Sequence, residues 1–280
     1  MRFVTVTIFT VTMLSQAFLS SADSPTFRLA ALEYNGRIGP DPNIDANSSD
    51  EKWKVMVEGI DFVLKAQESA GTPVDIIVTS ELPTFVSSGD GEICQAQYVP
   101  GPRTDTIAAL AVAHNCWIIV NPAEKDPDYD SNDILYNSTL VFNRKGRLVV
   151  NYHKVRLPKE QSRFTPGTHP VVVETEFGRM AVMNCFEISA EYGNADYVAE
   201  VMSLHPYFIV HPTWGYFGDE TVKISRDNNV YIASSVWDGS SRVIGPDGVL
   251  DEQFYDAHPS VPAKMKVAVA DVPIHKNEEK

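Results

Sequence analysis

Arg179-Met180-Ala181-Val182-Met183-Asn184-Cys185-Phe186-Glu187-Ile188 is the stretch on which the reading of the fold turns. Its first half is a short, almost wholly apolar run, as expected of a strand covered on both faces, and a thiol follows directly. Upstream, Val171 to Glu176 and Arg179 to Asn184 flank Phe177-Gly178, so the pair reads as a hairpin whose second strand delivers Cys185. Two other apolar runs end in the same way. Val74 to Ser80 (VDIIVTS) precedes Glu81, and Arg147 to Tyr152 leads through His153 to Lys154. In sheet-based α/β folds ligands gather at the C-terminal edge of the strands, because the strands are rigid and the loops above them can converge.

The rest of the chain supports an α/β reading. Phe27 to Glu33 is a first strand, and Asp50 to Ser69 places Trp53, Val57, Ile60 and Leu64 at helical spacing with Asp50 as N-cap. Thr104 to His114 reads as a helix, Trp117 to Val120 as a strand, and Tyr136 to Phe142 with Arg147 to Tyr152 as a hairpin around Asn143-Arg144-Lys145-Gly146. Ser189 to Leu204 reads as one helix, Phe208 to Val210 as a strand, Asp219 to Asn228 as a helix and Val230 to Val236 as a strand. A last hairpin turns at Gly245-Pro246-Asp247-Gly248, and Lys264 to Val272 closes the fold. With 280 residues, 44% of them apolar, and no shift of composition along the chain, a single domain is expected.

Residues 1–22 carry one basic residue, Arg2, an apolar run from Phe3 to about Phe18 and small residues up to Ala22, which reads as a signal peptide with the domain spanning 23–280. A retained membrane anchor is the alternative, but four threonines, a serine and a glutamine interrupt the run. Removing Arg2, the segment's one charge, takes the net charge from −14 to −15, which excludes nucleic acid as a partner class. Two N-x-[ST] triplets, at Asn47 and Asn137, are candidate glycosylation sites in a secretory compartment. Of the three cysteines, Cys94 and Cys116 would form a disulfide or remain buried thiols, and either arrangement leaves Cys185 free.

A carboxylate, an ammonium and a thiol at one sheet edge form a coherent set for nucleophilic catalysis. The carboxylate takes the thiol proton, and the ammonium stabilises the thiolate and any later oxyanion. Attack on an amide carbonyl would give a tetrahedral intermediate and then a thioester. Glu81 would pass the proton to the leaving amine and afterwards activate water.

The segments Ser80-Glu81-Leu82-Pro83, Tyr152-His153-Lys154-Val155-Arg156-Leu157 and Asn184-Cys185-Phe186-Glu187-Ile188 resemble the nitrilase superfamily of carbon–nitrogen hydrolases, in which a Glu–Lys–Cys triad in this chain order sits on a four-layer αββα sandwich. Tyr136 to Phe142, Cys185 to Ile188 and the leader make the chain look closest to the secreted vanin and biotinidase branch, amidases acting on pantetheine or biotin amides. The branch's Asp in place of Glu187, and its further C-terminal domain, are departures that leave the substrate open. The resemblance implies Glu81 as base, Lys154 as oxyanion partner, Cys185 as nucleophile and the amide of Phe186 as a second oxyanion donor. It implies Glu160 as a second carboxylate holding Lys154, and pairing of two copies through Ser189 to Leu204. Neither cofactor nor metal is implied. Phe164, Trp214 and Tyr216 are candidate substrate walls, with Phe217, Tyr98 and Phe85 open to the same reading.

Alternatives keep the fold and change the function. A nitrile could be attacked by the same triad through a thioimidate, although nitrilases tend to have Trp where this chain has Phe186. A non-enzymatic secreted binding protein is the reading from another class. His205 and His211, six apart, would face one side of a strand, but no third ligand accompanies them and a metal site is not expected. His153 should point away from the face of Lys154 and pack.

Overall fold

The computed structural model describes residues 25–33, 49–84, 96–126, 134–237, 240–252 and 266–275. The leader, Asn47, Phe85 and Cys94 lie outside them. Along these residues run β1 (Thr26–Glu33), α1 (Ser49–Ser69), β2 (Ile76–Glu81), α2 (Pro102–Ala113), β3 (Trp117–Asn121), β4 (Ala123–Lys125), β5 (Leu135–Phe142), β6 (Leu148–His153), β7 (Val171–Thr175) and β8 (Gly178–Val182). They are followed by α3 (Ala195–Ser203), β9 (Phe208–Thr213), α4 (Gly218–Asn228), β10 (Tyr231–Val236), β11 (Arg242–Gly245), β12 (Gly248–Asp251) and β13 (Lys266–Pro273).

The strands form two sheets of the same plan. In the first, β1, β2 and β3 are parallel, with β13 antiparallel on one side and β5, then β6, on the other. In the second, β8, β9 and β10 are parallel, flanked by antiparallel β7 and by β11 and β12. Side chains alternate across each strand, so successive residues serve different cores. Leu29, Ala31, Ile76, Val78 and Ile119 join Val182, Phe208 and Val210 between the sheets. Ala30, Leu32, Ile77 and Ile118 face outward onto Trp53, Met56 and Ile60 of α1. The second sheet turns Ala181, Ile209 and Ile232 outward onto Tyr197 and Val201 of α3 and Ile224 of α4. Apolar runs of this kind leave no strand face for water, which is why helices cover both outer surfaces. The order is helix, sheet, sheet, helix: the αββα sandwich.

Two expectations need correction. Ser189 to Leu204 is not one helix: a π-helical turn over Ala190–Asn194 precedes α3, and Gly193 at φ +87° breaks the helical path. His205 and His211 do not share a strand. His205 lies in the turn after α3 at φ +52°, and only His211 belongs to β9.

The topology brings the reactive residues to one edge. Because β5 is antiparallel to both β3 and β6, β6 runs the same way as β2. Glu81 ends β2, Lys154 follows β6, and Cys185 stands three residues beyond β8.

Candidate active site

Glu81 and Lys154 are fully buried, with Lys154 Nζ 2.7 Å from Glu81 Oε1. Two amides complete the cluster. Asn137 Nδ2 donates to Glu81 Oε1 at 2.7 Å and to Gln161 Oε1 at 3.1 Å. Gln161 Nε2 donates to Glu81 Oε1 at 3.0 Å, and its Oε1 accepts from Lys154 Nζ at 3.1 Å. Asn184, just before the thiol, donates to Asn137 Oδ1 at 3.0 Å. Burial pushes the Glu81 carboxyl upward, but the charge and hydrogen bond of Lys154, with help from Gln161, outweigh it and hold the group below its ordinary range. Burial likewise opposes the Lys154 ammonium, and the Glu81 charge more than offsets it, so the lysine stays protonated. The pair rests as carboxylate and ammonium.

Cys185 opens a 3₁₀ turn over Cys185–Ile188 at φ +50°, a left-handed conformation that a β-carbon disfavours and surrounding contacts must hold. Those contacts are explicit. Glu187 accepts from the backbone N–H of Asn184 at 2.7 Å, closing the turn. It also accepts from the N–H groups of Val155 (2.6 Å) and Arg156 (3.1 Å) and from the Tyr152 hydroxyl (2.6 Å), tying the turn to the segment that carries Lys154. On the far side His211 Nε2 donates to the Cys185 carbonyl at 3.0 Å, and Nδ1 accepts from Ser234 at 2.9 Å. Burial depresses His211 to about 4, so it is a neutral support rather than a general base. Burial and the nearby Glu81 charge raise Cys185, with Lys154 opposing them. The thiol is therefore protonated at rest, beside a carboxylate that can accept its proton.

Glu81 and Cys185 line a cavity of about 640 Å³ walled by Leu82, Phe164, Phe186, Tyr192, Trp214 and Phe217. Trp214 is braced by stacking on Trp237 at 4.2 Å, and Phe164 packs with Leu82, Ala123 and Leu135. The walls are apolar and aromatic, with Pro158, Lys159, Glu160 and Gln161 along one side. A small molecule of drug-like size fits such a volume.

The site corrects three assignments. Glu160 is exposed at the cavity and does not pair with Lys154; the neighbouring Gln161, one step round the Lys159–Gln161 turn, takes that place. Tyr216 is half-exposed and lies over the Arg242 guanidinium at 4.7 Å, outside the cavity lining, whereas Phe217 turns in. Asn137 is wholly buried with both amide hydrogens committed, so the folded chain offers no glycosylation acceptor there. His153 packs away from the lysine as expected, stacked on Tyr136 at 3.8 Å and bonded to Glu124 at 3.1 Å. Tyr98 is exposed and does not line the cavity. Among the described residues no cluster of His, Cys, Asp and Glu is arranged to hold a metal ion. Cys116 is a buried thiol in the helix-side core.

Asn137, Gln161, Glu187 and His211 were not singled out as site residues by the sequence. The polar run Asn137-Ser138-Thr139 inside an otherwise apolar strand was the available signal, since a strand of this sheet buries three such residues only where partners await them.

The chain is thus an αββα sandwich with a buried Glu–Lys pair beside a cysteine turn at the edge of its two sheets. The family model for carbon-nitrogen hydrolases matches residues 38–250, about three-quarters of the chain, and the chain belongs to that family. Among curated proteins it is 28% identical over 207 residues to the pantetheinase of Sus scrofa and 25% identical over 226 residues to that of Homo sapiens. These matches cover 64% and 70% of this chain but only 40% and 43% of those proteins. The chain thus aligns with about two-fifths of the length of these relatives. In fold it resembles an amidase from Nesterenkonia sp. AN1 (TM-score 0.67, 17% identity, 88% of this chain and 93% of that one). It also resembles Saccharomyces cerevisiae Nit3 (TM-score 0.68, 17% identity, 89% and 90%).

Proposed function

We propose that the chain is a secreted amidase that hydrolyses a small, linear, non-peptide amide through a thioester on Cys185. The observation that carries this reading is the buried Glu81–Lys154 ion pair beside a protonated thiol at an apolar-walled cavity. As Sγ attacks the carbonyl carbon, its proton passes to Glu81. Lys154 and the Phe186 backbone N–H take the developing oxyanion, and the tetrahedral intermediate collapses as Glu81 protonates the leaving amine. Water, deprotonated by Glu81, then attacks the thioester, and the proton returns to the sulfur as the acid departs. Every step uses groups of this chain and water, so the mechanism requires neither cofactor nor metal.

The pantetheinase relatives favour a pantetheine-like amide as substrate. A biotin amide is the second candidate within the same class. Cleavage of residues 1–22 would release the domain 23–280, with Asn47 as the remaining glycosylation candidate and no membrane span required for retention. Among the described residues no helix is long and apolar enough to cross a membrane. Delivery would be extracellular or lysosomal, and two copies would pair through the Ser189 to Leu204 region.

The test is turnover by the chain from Asp23 and its Cys185→Ala variant on pantetheine, biotin amides, ω-amides and nitriles, read as amine or ammonia release. Cys185-dependent release of an amine from one amide class is expected. Turnover of nitriles alone would replace the substrate class. No turnover, together with a Cys185 no more reactive to iodoacetamide than Cys116, would replace the enzyme by a binding protein.

A further inference from the structure

The hydrogen bonding of Glu81 is lopsided. Three donors converge on Oε1: Lys154 Nζ at 2.7 Å, Asn137 Nδ2 at 2.7 Å and Gln161 Nε2 at 3.0 Å. Among the described residues, Oε2 of the same carboxylate is buried without a hydrogen-bond partner. An ionised carboxylate has about four lone-pair sites, and leaving one whole oxygen bare in a dry interior is costly. Both amides also hold each other, since Asn137 donates to Gln161 Oε1, and that oxygen in turn accepts from Lys154.

We propose that Gln161, with Asn137, is a positioning residue that crowds the available donors onto Oε1 of Glu81 and so reserves Oε2 as the oxygen that takes the Cys185 proton and returns it to the leaving amine. This deepens the amidase reading and rests on it. The balance of the step is simple: the S–H bond breaks as Oε2–H and S–C form, and later Oε2–H breaks as the amine nitrogen gains its proton and C–N breaks. With Gln161 neutral, the Glu81–Lys154 pair keeps its charges equal and opposite. A carboxylate at this position would compete for Lys154 and oppose the ionisation of Glu81. Gln161 stands next to Pro158, Lys159 and Glu160 along the cavity wall, so the segment that shapes that wall also fixes the base.

Besides Lys154, the titratable groups around Glu81 are Cys185 and His211, with Glu187 acting on the same lysine and Glu160 and Lys159 at the cavity wall. Glu81 is held below its ordinary 4.5 and His211 is depressed to about 4, so both titrate in the acid range, and the part of the acid limb that moves when Gln161 is replaced is the part assigned to Glu81.

The experiment uses Gln161→Met, which keeps the length and loses the amide, and Gln161→Glu, which keeps the shape and adds charge. Gln161 lies in a surface turn, so both variants should fold, and thermal unfolding checks this. The rate of Cys185 alkylation by iodoacetamide is followed against pH by peptide mass spectrometry, alongside kcat and KM on the amide that the wild type turns over. The acid limb of alkylation should move up by about one pH unit in Gln161→Met and further in Gln161→Glu, with kcat falling more than KM changes. A fall in activity with the acid limb unmoved in both folded variants would overturn the proposal and leave Gln161 as a brace for its turn. Alkylation needs no substrate, so the inference can be decided even if no amide is hydrolysed, an outcome that would sink the amidase reading by itself.

Discussion

Glu81 and Glu187 are both wholly buried carboxyl groups, both answer to Lys154, and the surroundings push them in opposite directions. Around Glu81 the donors sit on one oxygen, the ammonium is in contact, and the carboxyl is held below its ordinary range. Around Glu187 burial prevails over the more distant charge and raises the group, while its donors are spread over both oxygens: three on Oε1 and the Asn184 N–H on Oε2. A saturated carboxyl is a fastener, here between the cysteine turn and the segment after β6. A carboxylate with one bare oxygen beside a thiol is placed for the base role we propose. Burial alone does not distinguish them; the placement of donors does.

Replacing each carboxyl in turn separates the two roles. Glu81→Gln should lower kcat/KM by roughly 10²–10⁴-fold, the usual worth of a general acid–base group, at every temperature at which the protein is folded. Retention of activity within tenfold would transfer the base to another group. Glu187→Ala takes the partner from the N–H groups of Asn184, Val155 and Arg156, while the Tyr152 hydroxyl keeps Tyr197, and should cost about 3–5 kcal/mol, read as a lower urea midpoint at unchanged m-value. A loss below about 1 kcal/mol would mean that water fills the gap and that the group is no fastener.

Stability against pH sharpens the contrast. The folded-state pKa of Glu81 is depressed, so its contribution is present above the ordinary carboxyl value of 4.5 and is lost as pH falls through the lower folded value. That of Lys154 is raised, so its contribution is present below 10.5 and is lost as pH rises through the higher folded value. For Glu187, folding favours the protonated form, so its contribution declines as pH rises above 4.5. Denaturant titrations of wild type and Glu81→Gln should therefore diverge least in acid below 4.5 and most between the two limits. Curves parallel throughout would break the assignment of the ion pair. The smallest effect is expected at Tyr216, which lies outside the cavity: Tyr216→Ala should leave KM within about twofold and cost under about 1 kcal/mol through its loss from Arg242, whereas Phe217→Ala should raise KM.

The strands and helices of the molecule were legible because short continuous apolar runs and helical spacing are local signals. The runs VDIIVTS and RMAVMN became β2 and β8 within a residue or two, and both put their reactive residue at the predicted edge. The single helix from Ser189 failed at Gly193, where a left-handed backbone interrupts a pattern that apolar spacing cannot detect. The three-residue strand β4 was missed because it is defined by its partner β5, not by its own composition.

The sequence by itself determined the α/β class, the order of Glu81, Lys154 and Cys185, and through their flanking motifs the resemblance that implied the sandwich, because those depend on apolar pattern and on residues adjacent in the chain. Only the tertiary structure decided that Gln161 and not Glu160 reaches the lysine, that Asn137 is buried as an inward hydrogen-bond donor, and that Glu81 and Glu187 carry their donors differently. The bonds concerned join residues 24 to 80 positions apart, or turn on which way a short 3₁₀ turn faces. A carboxyl group becomes a base or a fastener through partners contributed by other strands, and no local pattern records where those strands will bring them.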